Sequence, residues 1–157
     1  MPSIRETREL NYSAEQMFDL VADVGSYPQF LPWVVATRVR SDTETEMVAD
    51  MMVGFKALRE RFTSKVHKHR PDRIVVEYVD GPLSKLENSW QFEPLDGSPD
   101  YGRCRIHFCV DFTFRNRVFE ALAGQYLDRA FRKMVGAFEE RAEALYGSNS
   151  SSAHSAA

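Results

Sequence analysis

The chain has 157 residues, 43% of them apolar and 27% charged, with a net charge of −3. That length suits one domain able to bury a core of its own. The composition excludes a disulfide-framed mini-protein, a helical membrane-spanning protein (no stretch approaches twenty apolar residues) and a globally basic nucleic-acid binder.

Taken in order, Ser3 to Leu10 alternates Ile4, Glu6, Arg8 and Leu10 without a clean apolar face and suits a first, edge strand. No signal peptide is expected before it. Ser13-Ala14-Glu15-Gln16 has capping-box spacing. Met17, Phe18, Leu20, Val21 and Val24 then predict a short amphipathic helix ending at Gly25. Gly25 to Trp33 reads GSYPQFLPW. Its prolines exclude a regular helix, while Tyr27, Phe30, Leu31 and Trp33 must pack on something. The segment is either a lid on the protein's own core or the rim of a ligand cavity, or it dips into a membrane surface.

Trp33 to Arg40 alternates loosely, and Ser41 to Glu44 is read as a turn. Thr45 to Phe55 places Met47, Ala49, Met51, Val53 and Phe55 on one strand face. Ala57 to Lys68 turns Leu58, Phe62 and Val66 inward and Arg59, Arg61, Lys65 and His67 outward. Arg70-Pro71-Asp72 is a turn. Arg73 to Asp80 supplies Ile74, Val76 and Tyr78, and Gly81-Pro82 breaks the chain. Lys85 to Glu93 points Leu86, Trp90 and Phe92 inward. After a loop at 96–100, Gly102 to Phe114 places Ile106, Phe108, Val110, Phe112 and Phe114 together. Cys104 and Cys109, five residues apart on this strand, would lie about 17 Å apart, too far to bridge. A reduced, cytosolic interior is therefore expected.

Asn116 to Tyr146 carries two rows at i, i+4: Val118, Leu122, Tyr126, Ala130, Met134, Phe138, Ala142, and Phe119, Ala123, Leu127, Phe131, Val135. Together they predict a long helix with one broad apolar stripe. Gly124 and Gly136 cost it roughly 1 kcal/mol each. They are either tolerated surface glycines or places where the helix bends or thins beside a ligand. The segment 147–157 is small and polar and is expected to be a disordered tail after a single domain spanning 1–146.

The order is strand, helix, about six antiparallel strands, long helix, which is an α+β class. Alternation gives each strand one dry face. The terminal helix, roughly 45 Å long, is the only element able to cover it. A strongly bent sheet cupping a helix leaves a space between them that suits an irregular apolar ligand. Its expected walls are Met47, Met51, Val53, Phe62, Trp90, Phe108 and Phe112, with Phe131, Met134 and Phe138 from the helix. Two polar residues fall in phase with the dry face: Glu60 with Leu58 and Phe62, and Asn88 with Leu86 and Trp90. Glu60 is either salt-bridged near a strand end or, protonated, joins Asn88 and the Trp90 indole N–H as donors to a ligand. Two five-carbon isoprene units in such a space would dominate its binding energy at about 0.8 kcal/mol per CH₂.

His67-Lys68-His69 lacks a third metal ligand. The sequence carries no nucleophile elbow, phosphate-binding glycine loop or paired metal-cysteine motif. Arg59, Arg61, Lys65, Lys68 and Arg70 suggest a basic stripe. It is either a solvated face or a surface for anionic lipid head groups or ribosomal RNA.

Several of these segments resemble the coenzyme Q-binding family of START-like, polyketide cyclase-like domains. They are Tyr27-Pro28-Gln29-Phe30-Leu31-Pro32-Trp33 after a capped helix, Val53-Gly54-Phe55, Glu60-Arg61-Phe62-Thr63-Ser64, Gly81-Pro82-Leu83 before Leu86, Asn88 and Trp90, and Lys133-Met134-Val135-Gly136-Ala137-Phe138. The likeness runs from about residue 3 to 146, and Leu83 stands where many members carry Phe. It implies a START-like helix-grip fold, a curved antiparallel sheet of about seven strands wrapped around the C-terminal helix. It also implies a non-enzymatic carrier of ubiquinone, or a related polyprenyl lipid, that supports respiratory electron transport and ubiquinone biosynthesis. Such a protein would be cytoplasmic or peripheral at the inner membrane, in contact with an anionic membrane surface, and would need no catalytic cofactor. Phe30, Leu31, Phe55 and Leu83 join the expected ligand-binding set through these motifs. The same family holds ribosome-association toxins, which implies the large ribosomal subunit as an alternative partner. A third reading is a cyclase-like enzyme on aromatic polyketides, with Glu60 as acid or base.

Overall fold

The computed structural model describes residues 3–147, and of Phe55 only the backbone. The segment 148–157, most of the expected tail, lies outside the described residues.

Ser13 caps the first helix, α1 (Ala14–Ala22). Its hydroxyl accepts from Gln16 N while the Gln16 side chain accepts from Ser13 N. The helix stops at Asp23, short of the expected Gly25, and the chain tightens into a 3₁₀ turn over Val24–Gln29 that contains Pro28. Proline lacks the N–H an α-helix needs, but its fixed φ fits a short tight turn.

Seven strands make one antiparallel sheet: β1 (Ser3–Leu10), β2 (Val34–Asp42), β3 (Glu46–Phe55), β4 (Leu58–His69), β5 (Arg73–Asp80), β6 (Leu83–Pro94) and β7 (Cys104–Phe114). They are ordered β1-β7-β6-β5-β4-β3-β2. Every neighbour except β1 follows its partner in sequence, so the sheet is a meander closed by the first strand. β2 runs through Asp42, into the first half of the expected turn, and the chain reverses over the residues that follow, where Thr43 Oγ1 accepts from Glu46 N. At the β5–β6 turn Gly81 has φ 154°. A Cβ there would meet the Tyr78 hydroxyl at 2.7 Å, the same hydroxyl that bridges Leu83 N and Leu83 O. That turn needs glycine.

Asn116 caps the terminal helix α2 (Arg117–Tyr146) by accepting from Phe119 N. Its buried residues are Ala123, Leu127, Ala130, Val135, Phe138 and Ala142. The single-stripe expectation fails at the start of the helix, where Val118 is 71% and Leu122 56% exposed. Four residues of α-helix turn through 400°, so an i, i+4 row creeps about 40° per step. Over the five steps from Phe138 back to Val118 it reaches about 200°, the far side of the helix.

The two helix glycines have protein neighbours. Gly136 gives room to the Arg8 guanidinium, which reaches in from β1 to Glu6 and Glu139. Gly124 lies against Phe114. The core joins α1, the 3₁₀ turn, the concave sheet face and α2, with Phe18, Phe92, Phe108, Phe112 and Phe138 fully buried.

Candidate functional site

Strand parity aims a continuous apolar surface at α2. The register pairs Met51 with Phe62, Ala49 with Ser64, Val76 with Asn88 and Trp90 with Phe108. α2 packs on β7, β1 and α1 and stands away from the middle strands. A cavity of about 120 Å³ lies in the gap. Cavities of roughly 150 Å³ with apolar walls take up one benzene ring, so this one has the size of about one unsubstituted ring.

The walls at the α1 end are Val21, Val24, Tyr27, Trp33, Ile74, Trp90 and Phe138, all buried. Met51 and Val53 on β3 and Phe131 and Met134 on α2 line it and stay half-buried. Aromatic edges stiffen the closed end, with Phe138 5.3 Å from both Trp90 and Tyr27 and Trp90 4.6 Å from Phe108. The Tyr27 hydroxyl is spent on Val21 O, and burial holds its pKa far above the ordinary tyrosine range.

Besides the indoles of Trp33 and Trp90, two further polar side chains line the cavity, Ser64 and Asn88. Asn88 Nδ2 donates to Cys109 O at 2.9 Å. That leaves one amide N–H and the carbonyl oxygen for a guest, beside the Ser64 hydroxyl, which can donate or accept. Among the described residues, no carboxylate, histidine, lysine or cysteine lines the space, and none cluster as metal ligands.

Eleven of the eighteen expected binding residues line this cavity: Tyr27, Trp33, Met51, Val53, Phe62, Asn88, Trp90, Phe108, Phe131, Met134 and Phe138. Leu31, Met47, Leu83 and Phe112 sit in the packed core instead. Phe30 stacks edge-on against Phe138, with the Arg141 guanidinium 5.0 Å over its ring. Of the Phe55 side chain nothing is described. Glu60 has the expected parity, paired with Val53, but lies past the cavity's end. It borders a separate polar recess with Arg59, Arg61, Asp80, Arg115 and Asn116. Of the segment from Tyr27 to Trp33, the buried Tyr27 and Trp33 line one end of the cavity.

The basic stripe is shorter than expected. Lys68 has the opposite parity from Arg59, Arg61 and Lys65 and bonds Asp42, while Arg70 binds Asp19 and Glu15 of α1. Beside that stripe lies a feature the sequence reading missed. Asp50 is 7% exposed on the outer face of β3, where the Thr63 hydroxyl donates to it at 2.7 Å and Arg40 Nε at 2.8 Å. The Thr63 bond first, and then Arg40, hold its carboxyl below the usual range.

A family model described as polyketide cyclase / dehydrase and lipid transport matches residues 10–139. The chain is 38% identical over 146 residues to the ribosome association toxin RatA of Escherichia coli (strain K12), covering 93% of this chain and 90% of that one. It is 37% identical over 144 residues to the mitochondrial coenzyme Q-binding protein COQ10 homolog B of Xenopus laevis, covering 90% of this chain and 58% of that protein. The solution structure of an 18 kDa protein from Caulobacter crescentus shares 33% identity and a TM-score of 0.70 over 94% of this chain and all of that one. The Zhui aromatase/cyclase of Streptomyces sp. R1128 superposes with a TM-score of 0.76 over 90% of this chain and 93% of that one. At 16% identity that likeness concerns the fold alone.

Proposed function

The chain belongs to the polyketide cyclase / dehydrase and lipid transport family, and from that premise we propose that it is a carrier whose cavity takes the ring of a prenylated quinone such as ubiquinone. One observation carries this reading. The space between α2 and the middle strands has the size of about one unsubstituted ring and is apolar, and besides the indoles of Trp33 and Trp90 its polar side chains are Ser64, Asn88 and the already engaged Tyr27. Apolar walls supply most of the affinity for such a guest, and a few fixed polar groups orient it. A quinone offers carbonyl and methoxy oxygens to the Ser64 hydroxyl and the remaining Asn88 N–H. A quinol offers hydroxyls to the Asn88 carbonyl. Similarity to a protein named for binding coenzyme Q supports the choice of ring.

The walls also argue for binding without turnover. General acid–base chemistry needs a titratable group within hydrogen-bond reach of the guest. The described lining offers Tyr27 alone, engaged with Val21 O and shifted away from neutral pH. Glu60, the acid or base of the cyclase reading, borders a different recess.

The test is titration with a short-chain ubiquinone, read by quenching of the fluorescence of Trp33 and Trp90, both in the wall. Saturable one-to-one quenching is expected. Its absence, together with no quinone in lipid extracts of the purified protein, refutes the proposal.

A second reading rests on the match, over 90% of that protein's length, to one named a ribosome association toxin. It would use Arg59, Arg61 and Lys65 on the outer face of β4. Co-sedimentation with large ribosomal subunits, abolished by reversing those three charges, would support it, and unchanged sedimentation would reject it.

A further inference from the structure

The row Val118, Leu122, Tyr126, Ala130, Met134, Phe138 winds around α2 from solvent into the cavity. Val118 and Leu122 are exposed on the helix face turned from the sheet, Tyr126 is half-buried on the flank, and Ala130, Met134 and Phe138 are cavity wall. The inner end of this track packs the core, but its outer end, Val118 and Leu122, does not. At its outer end Gln125, Arg129 and Lys133 share the outward face with Val118 and Leu122, at i, i+4, i+7, i+11 and i+15. Arg129 and Lys133 are exposed. Arg59 stands close enough for its charge to act on the Tyr126 hydroxyl. The nearby carboxylates are turned away or engaged: Glu120 lies on the Gly124 side by Phe114, Asp128 is bonded to Arg132, and Glu60 and Asp80 border the arginine-lined recess beyond the cavity.

We infer that the outward face of the first half of α2 docks on an anionic lipid bilayer, and that its spiral row is the path along which a lipid's apolar chain passes between bilayer and cavity. The inference rests on the carrier reading and adds where the cargo enters. Exposed aliphatic side chains beside cations are the chemistry of an interfacial helix, reversible and dependent on anionic lipid. Two exposed aliphatic side chains fall far short of the roughly 1,200 Å² a specific protein pair buries, which argues against a second copy as the occupant. RNA would use the cations and leave the aliphatic residues in water.

The test is co-sedimentation of the intact protein with vesicles of phosphatidylcholine alone and with vesicles containing about 30% phosphatidylglycerol. Binding is expected to be about tenfold tighter to the anionic vesicles, to weaken in high salt, and to fall about tenfold in Val118→Glu and in Leu122→Glu. Tyr101→Glu, changed at an exposed loop tyrosine in the β6–β7 connection, is expected to bind like wild type. Thermal midpoints of all three variants, expected to match wild type, separate lost docking from lost folding.

Indifference to lipid charge, wild-type binding by Leu122→Glu, no vesicle binding, or competition of bound vesicles by RNA through the same residues would each overturn the inference. Short-chain quinone quenching without vesicles is expected to survive Leu122→Glu. Vesicle binding without any quenching would remove the carrier reading and leave the docking face. Quenching without vesicle binding would remove the docking face alone.

Discussion

At the scale of residues, the site turns on two side chains that differ in how they announce themselves. Asn88 could be read from parity, since an amide in phase with Leu86 and Trp90 must face the core. Ser64 has the same parity with Phe62 and Val66, but a serine in a strand carries no cost that demands an explanation, and it passes as a neutral position. Both contribute to the same guest. Asn88→Leu or Ser64→Ala is expected to weaken short-chain quinone binding about tenfold, the worth of one hydrogen bond of roughly 1.4 kcal/mol, while a value unchanged within error would remove that residue from the site. Asp50 was hidden for another reason. Its parity is that of the outer face, and it is covered because Arg40 reaches it from an irregular stretch of β2, and such register shifts do not show in an alternation pattern. Because its folded-state pKa is depressed, its contribution to stability is complete above the ordinary value of 3.8 and is lost as pH falls below that toward the folded value. Asp50→Asn should therefore lose less stability than wild type between neutral pH and acid. Parallel acid-unfolding curves would contradict this.

At the scale of elements, α2 shows how far a pattern reaches. Helix and extent follow from the sequence with little ambiguity. The face does not, because rows that coincide with a stripe over two turns wind off it over eight. The structure thereby separates two groups of apolar residues that look alike in sequence. Leu127, 5% exposed in the cavity wall, is expected to cost about 2–5 kcal/mol when cut to alanine. Leu122→Ala, on the outward face, is expected to fall within about 0.5 kcal/mol of wild type. Equal losses in chemical denaturation would mean that the helix face is misassigned. The edge strand β2 depends on Gly54, where a Cβ would stand 2.6 Å from Val35 Cγ2 and 3.0 Å from an Arg59 Nη1 held by the carbonyls of Lys56 and Leu58. Gly54→Ala is expected to destabilise by about 1–3 kcal/mol.

At the scale of the whole molecule, an antiparallel sheet cupping a terminal helix and the expectation of a gap follow from alternation and helix length. The size of the gap does not, because it depends on how far α2 stands from the middle strands once Phe138, Trp90 and Phe108 have packed. With about 120 Å³ the cavity has room for about one unsubstituted ring, so on the proposed reading the substituents of a quinone ring and its prenyl chain extend out of it along the helix track. Affinity for soluble quinone analogues is therefore expected to gain well under the roughly 0.8 kcal/mol per added CH₂ of full burial after the first isoprene unit, and a steady gain of that full size would show that a chain enters instead. The claim on which the rest depends is that the ring occupies the space under α2, and Ala130, small and 5% exposed in its wall, is the place to block it. The decisive measurement is short-chain ubiquinone titration of wild type and Ala130→Phe side by side, with thermal unfolding to confirm that both fold. Saturable quenching in wild type and none in the folded variant is the predicted result, and equal binding by the two proteins would contradict it.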